Sequence, residues 1–217
     1  TITFTEADHQ YVVDGSSEKA LISGTTFIGR FFDKFDPEVM APKCVGKPKY
    51  AGMTVDEIKI QWELEGNRAA MWGSDTHAFI ESLFLGKSFP APIDDHEAAL
   101  FDQAVLAVLR LSERFEFLEA EKIIFSPKFG IAGMVDLVML DRAVNHIIVL
   151  DWKTNKEFKM DNPWQHGLSP IEHLDDCHFI KYSLQLTLYE MILRHERYYP
   201  DAAGFRSGII HLTEDGY

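Results

Sequence analysis

Apolar and polar positions change period along the chain, and those changes mark out its elements. Within residues 1–14, Ile2, Phe4, Tyr11 and Val13 stand in the alternation of a strand, and Asp14-Gly15-Ser16-Ser17 reads as the turn that ends it. Residues 21–26 are expected to complete a hairpin, followed by a short helix over 27–32. The pair Thr25-Thr26 there offers either a helix cap or a phosphate contact, and capping is the commoner role. Residues 35–53 lose all period around Pro37, Pro42 and Pro48 and carry Lys43, Lys47 and Lys49. They predict a loop or broken helix, either a solvated connector or a basic lip for phosphates. Thr54-Val55-Asp56-Glu57 has the form of a capping box, and helical spacing then runs through Trp62, Trp72, His77, Ile80 and Leu83 to Gly86. Gly66 and Gly73 are the places where so long a helix would bend or split.

After a loop over 90–95, residues 97–118 repeat as an amphipathic helix with Leu100, Val105, Val108, Leu109 and Phe115 inward. A strand is expected to begin over 121–125. Beside it, two β-rich apolar runs, 134–140 and 146–152, are separated by the polar residues 141–145 and predict a hairpin. Residues 155–176, with Pro163, Gly167 and Pro170, read as a loop that opens with Lys156 and Lys159. Helical spacing returns over 179–198, placing Leu184, Leu188, Met191 and Ile192 inward and Tyr182, Gln185 and Tyr189 on one face. Residues 205–212 read as a last strand. Strands, helices, three strands, helix and strand in that order imply an α/β fold with a mixed sheet and helices packed around it.

Composition narrows the class. At 217 residues and 46% hydrophobic content, the chain can bury a core of one domain with an elaboration. No apolar run approaches the roughly 18 residues of a membrane span, so no membrane partner is expected. The first residues carry neither a basic region nor an apolar one, so no secretion signal is read and a cytoplasmic, reducing setting is expected. Cys44 and Cys177 are too few for a disulfide framework or an all-cysteine cluster. A net charge of −13 speaks against a protein that coats nucleic acid by bulk attraction, though not against an enzyme that admits it through a local channel.

The chemistry concentrates in GMVDLVMLDRAVNHIIVLDWKT, residues 133–154. Asp136 and Asp151 each follow apolar residues on a predicted strand, so neither is an ordinary surface charge. Strand alternation sets Asp151 and Lys153 on one face and Trp152 on the other. Two carboxylates and an ammonium on adjacent strands are costly to desolvate unless a cation or bound anion compensates them, which argues for a metal site. An isolated DxK is more often a salt bridge beside a turn, and an isolated helical histidine such as His77, four residues before Glu81, is more often a satisfied core residue. The absence of HExxH sets aside a zinc peptidase.

Taken together, residues 73–81, GIAGMVD at 130–136, Asp151-Trp152-Lys153-Thr154, and Tyr182-Ser183-Leu184-Gln185 through Tyr189 resemble the PD-(D/E)XK nuclease superfamily in its RecB-like exonuclease branch. The resemblance covers most of residues 20–195 and is nearest phage-type members and the mitochondrial genome maintenance exonuclease, which share the DWKT phrase. It implies a restriction-endonuclease-like core: a central mixed β-sheet flanked by helices, with an N-terminal helical elaboration. One nuclease domain over 1–217 would comprise a helical part at 36–118 carrying the histidine motif and, at 119–217, the core sheet and a QxxxY helix. The resemblance makes Asp136 and Asp151 metal-binding carboxylates, joined by the Trp152 carbonyl and by His77. Lys153 becomes the catalytic lysine, Gln185 and Tyr189 the pair supporting the site and the DNA backbone, and Glu81 and Glu121 supporting acids. Mg²⁺ or Mn²⁺ is the implied cofactor, and an iron–sulfur cluster, which needs four cysteines, is not expected. The family's proline–aspartate lead-in is here Met134-Val135-Asp136, which leaves the ligand in place. The implied activity is a metal-dependent DNA exonuclease acting on single strands or duplex ends, leaving a 5′-phosphate and a 3′-hydroxyl, in phage or bacterial recombination, repair or replication. A recombination or replication protein is the implied partner. The alternatives are an endonuclease of the same chemistry and a nucleic-acid-binding module that has lost catalysis.

Overall fold

The structure, a computed structural model, describes the backbone of residues 2–5 and 10–13 and all of residues 21–217. Two short strands, β1 (Ile2–Thr5) and β2 (Gln10–Val13), pair antiparallel as a separate two-stranded sheet. The turn expected at Asp14-Gly15-Ser16-Ser17 lies outside the described residues. Residues 21–26 do not supply the second arm of a hairpin. Within them, β3 (Ile22–Ser23) lies parallel to a distant strand, β5 (Ile131–Asp141), with Ile22 opposite Ile131. The helix α1 (Gly24–Gly29) starts earlier than its apolar spacing implied. Its cap is Ser23, whose hydroxyl accepts from the amide of Thr26.

Residues 35–53 resolve into one turn of helix, α2 (Pro37–Met40), and two 3-10 turns, Ala41–Cys44 and Pro48–Tyr50. Ala41, Cys44, Tyr50 and Ile58 give this region a small core of its own. The capping box at Thr54 and Glu57 forms as expected and opens α3 (Val55–Leu85). That helix runs unbroken through Gly66 and Gly73 and ends where Gly86 turns left-handed at φ 63°. Asp94 caps α4 (Asp95–Arg114), which stops four residues sooner than the apolar repeat suggested, because β4 (Glu116–Ser126) already draws Phe117 and Leu118 into the sheet. Leu109, expected inward, is 58% exposed, and Leu100, Phe101, Ala104, Ala107 and Val108 form the buried stripe.

The main sheet has β4 antiparallel to β5, β5 antiparallel to β6 (His146–Lys153), and β6 parallel to β7 (Gly204–His211). Their central members, β5 and β6, are buried along most of their length, as near-continuous apolar runs require when both faces of a sheet are covered. On one face Ile148, Leu150 and Trp152 pack with Ile80, Leu100 and Ala104 of α3 and α4. On the other, Ile147 and Val149 pack with Leu186, Leu188, Ile192 and Leu193 of α5 (His178–His195) and Ile28 of α1. Met191, expected inward on α5, is 49% exposed. This is an α/β fold with a mixed central sheet flanked by helices. Among the described residues no helix is long and apolar enough to cross a membrane.

Candidate active site

The site begins where the sheet opens. β4 occupies one edge of β5, and the other edge is shared, with β3 at residues 131–132 and β6 at 137–141. The β5–β6 ladder ends at Leu137 opposite Leu150, so Asp136 and Asp151, the next pair along, stand where the two strands part. Oδ2 of Asp136 accepts from the Trp152 amide at 2.8 Å and so ties the splayed strands together. The facing of β5 also reverses here: Val135 packs beneath α5, whereas Leu137 packs beneath α3 and α4. Opposite the break, between Ala120 and Lys122 of β4, Glu121 takes a left-handed backbone at φ 48°. Such a conformation costs a non-glycine residue about 1–3 kcal/mol. Irregularities of this kind re-aim side chains at the end of a ladder, and this one turns Glu121 toward Asp136.

α3 supplies the third side. It crosses the end of β6 so closely that a Cβ on Gly73 would stand 3.3 Å from Oγ1 of Thr154. One turn further on, Nε2 of His77 lies 3.1 Å from the carbonyl oxygen of Trp152. A carbonyl can only accept, so Nε2 carries a proton and Nδ1 faces the acids, 3.6 Å from Oδ2 of Asp136 and 3.9 Å from Oε1 of Glu121. Burial works against protonation of the ring, but the carboxylates of Glu121 and Asp136 outweigh it and raise the pKa of His77. Asp136 is itself pushed up, first by burial, with Glu121 adding and His77 and Lys153 opposing.

His77, Glu121 and Asp136 each offer one ligand atom, all within 4.8 Å of one another. One imidazole nitrogen pinned through its other nitrogen to a backbone carbonyl, beside two carboxylate oxygens, is a donor set that fits a divalent cation. Three acidic or basic groups that depress or raise one another's protonation in a half-closed site are what such an ion would relieve. The Trp152 carbonyl, expected among the ligands, is here engaged by His77.

Asp151 and Lys153 point to the opposite face of β6 from Trp152, as alternation required. Nζ of Lys153 lies 2.5 Å from Oδ2 of Asp151, and Nε2 of Gln185 donates to Oδ1 at 3.2 Å. Burial, then the charge of Asp136, pushes the carboxyl of Asp151 up to about 6 in spite of the lysine. Burial would lower the pKa of Lys153, but Asp151 and Asp136 more than compensate and raise it, so the group is an ammonium. It also sits 4.7 Å over the ring of Tyr182. Gln185 reaches toward the hydroxyl of Tyr189 at 3.5 Å, and the Tyr189 ring is seated where β5 has no side chain at Gly133. Tyr182, Gln185 and Tyr189 thus share the sheet-facing side of α5. A cleft of about 460 Å³ opens beside these groups, lined by Gly73, Ser74, His77, Ala78, Glu81 and Glu121.

The structure gathers His77, Glu121 and Asp136 within reach of one ion, whereas Asp151, expected as a further ligand, stands beside that group with Lys153 and Gln185 and not in it. Glu121 sits closer to the centre than a supporting acid, whereas Glu81 only lines the cleft. Nothing in the residues around Glu121 distinguishes it from an alternating strand acid, because its orientation depends on a backbone irregularity set by the strand opposite.

A family model of the PD-(D/E)XK nuclease superfamily matches residues 56–215, from the start of α3 to beyond β7. The chain belongs to that superfamily. Membership implies nuclease chemistry, a hydrolysis, on the mixed-sheet fold already described. No curated protein matches the chain.

Proposed function

We propose that the chain is a divalent-metal-dependent DNA exonuclease, one nuclease domain in which the helical part at 36–118 shapes the entrance to a catalytic sheet at 119–217. The observation that carries this reading is the meeting of His77, Glu121 and Asp136 next to the buried pair Asp151 and Lys153. In it, His77, Asp136, Asp151 and Glu121 hold Mg²⁺ or Mn²⁺, and no iron–sulfur cluster is involved. When bound, the ion supplies a Lewis acid for the scissile phosphate and a counter-charge for the leaving oxygen. Lys153, as an ammonium, donates hydrogen bonds and positions the attacking water against the phosphate; it does not take a proton. Gln185 holds Asp151 in register with Lys153, and Tyr189, wedged against Gly133, fixes Gln185 in turn. In-line attack by water leaves a 5′-phosphate and a 3′-hydroxyl.

Preference for an end rests on the resemblance to the RecB-like exonuclease branch; the cleft that would admit the strand is lined by α3 through Gly73, Ser74, His77, Ala78 and Glu81 and by Glu121. A role in phage or bacterial recombination, repair or replication, with a protein partner from those processes, rests on the phage-type resemblance. The test is incubation of the purified protein with Mg²⁺ or Mn²⁺ and equal amounts of linear and circular single-stranded DNA. Linear strands are expected to disappear while circles persist, and Asp151→Ala and Lys153→Ala are expected to lose at least about a thousandfold in rate, more than one oxyanion-type donor is worth. Cleavage of circles at the rate of linear strands points to an endonuclease instead. Equal degradation by wild type and Asp151→Ala removes the nuclease assignment from these residues.

A further inference from the structure

The loop between β6 and α5 presents an aromatic side chain to which neither the fold nor the site gives a use. Trp164 is 89% exposed, the most exposed large hydrophobic residue among those described. Surface tryptophans of this kind are rare, since a fully solvated indole forgoes the burial that ordinarily stabilises it. The loop beneath it is nevertheless firmly tied. The amide of Trp164 donates to Oδ1 of Asn162 at 3.3 Å, and Nδ2 of Asn162 donates to the carbonyl of Asp176 at 2.8 Å. Asn162 also donates its amide to Asp175, and Gly167 and Asp176 close further backbone bonds to Leu174 and Gln165. The indole is thus held out on a braced turn.

At the start of α5 a separate line of rings leads to the reacting groups. Asp176 immediately precedes Cys177 and α5, whose first residue, His178, accepts from the amide of Lys159. His178 lies parallel to Tyr182 with ring centroids 6.0 Å apart, and Phe158 packs against both. Tyr182 is the ring beneath Lys153. Asn162, two residues before Trp164, is bonded to the residue two before α5, and the seven residues from His178 to Gln185, which donates to Asp151, add about 10 Å of helix.

We infer that Trp164 is a stacking platform for an unpaired base of the substrate strand, holding single-stranded nucleic acid on the path along the start of α5 to Lys153. This rests on the proposed nuclease function and specifies how the strand is held. Charge favours stacking over phosphate contacts here. Glu157 pairs with Lys159, Asp175 with His166, and Asp176 with Lys181, so these three cations are already matched by acids. A stacked base needs none, because every base has a face to present. That mode also suits a chain of net charge −13.

The experiment is binding of a fluorescent oligo-dT to the full chain in EDTA, by anisotropy, at two salt concentrations. It uses Trp164→Ala, Trp164→Phe and wild type, together with turnover of a small chromogenic phosphodiester in Mn²⁺. Trp164→Ala is expected to weaken binding by roughly 5- to 150-fold, by the same factor at both salts, since the indole carries no charge. Trp164→Phe should recover most of the loss, and turnover of the small ester should stay at the wild-type rate in all three. Full exposure means that truncation leaves no cavity to unfold the protein. Unchanged oligonucleotide binding by Trp164→Ala in an enzyme whose wild type still degrades DNA overturns the proposal alone. A wild type that neither binds nor cuts DNA overturns the nuclease reading and this inference together.

Discussion

Individual side chains at this site are held in states that cost the fold. Asp151 is 3% exposed and its carboxyl titrates near 6 rather than in the usual range near 4. A carboxyl whose pKa rises on folding destabilises the native state when ionised. That cost is absent below the unfolded value near 4 and fully present above about 6. Asp151→Asn in metal-free protein is therefore expected to raise the thermal midpoint by roughly 5–10 °C at pH 8 and to leave it unchanged at pH 4, while abolishing cleavage. Calorimetry in EDTA at the two pH values reads this directly. Glu121 carries the second prediction at this scale. If its oxygen joins those of Asp136 and the ring of His77, Glu121→Gln removes most of the thermal stabilisation that Mn²⁺ gives, and Glu81→Gln, which alters only the cleft wall, does not. Asp136, Asp151 and Lys153 stood out by residue type and spacing, and His77 by the resemblance. Glu121 was expected only as a supporting acid, because its place beside His77 and Asp136 depends on the φ of 48° where β4 meets the break in β5.

Among the elements, closeness of approach decides whether the site assembles. α5 can seat Tyr189 against β5 only because position 133 has no side chain: a Cβ there would collide with the ring. Gly133→Ala is expected to lower stability by about 1–3 kcal/mol through overpacking, with a matching loss of activity as Gln185 is displaced from Asp151. The urea midpoint and cleavage rate should fall together. At the start of α3 the requirement is local. Thr54→Ala should cost about 1 kcal/mol while sparing the chemistry, since the cap lies more than five turns of helix before His77. Helix starts of this sort, and the β5–β6 hairpin, were legible because their signals lie within a few residues of one another. The early end of α4 and the outward turn of Leu109 and Met191 were not, because an apolar repeat says which residues share a face and not how far the neighbouring layer extends.

For the molecule as a whole, a divalent ion at the proposed site would supply the counter-charge to Glu121 and Asp136. A cation bound only by the folded state stabilises it by mass action, by about 2.7 kcal/mol at a hundredfold excess over its dissociation constant. The thermal midpoint in Mn²⁺ should thus stand roughly 5–10 °C above that in EDTA, and His77→Ala or Asp136→Ala should abolish the difference.

Taken alone, the sequence determined most of the helices and strands and their order, and placed Asp136, Asp151 and Lys153 on adjacent strands, since capping, alternation and apolar period are short-range properties of the chain. Only the tertiary structure decided that β3 returns to lie parallel to β5, that Glu121 joins His77 and Asp136, and that Trp164 is left facing solvent on a braced turn. Those outcomes depend on contacts between segments far apart in the chain, and no local period records them.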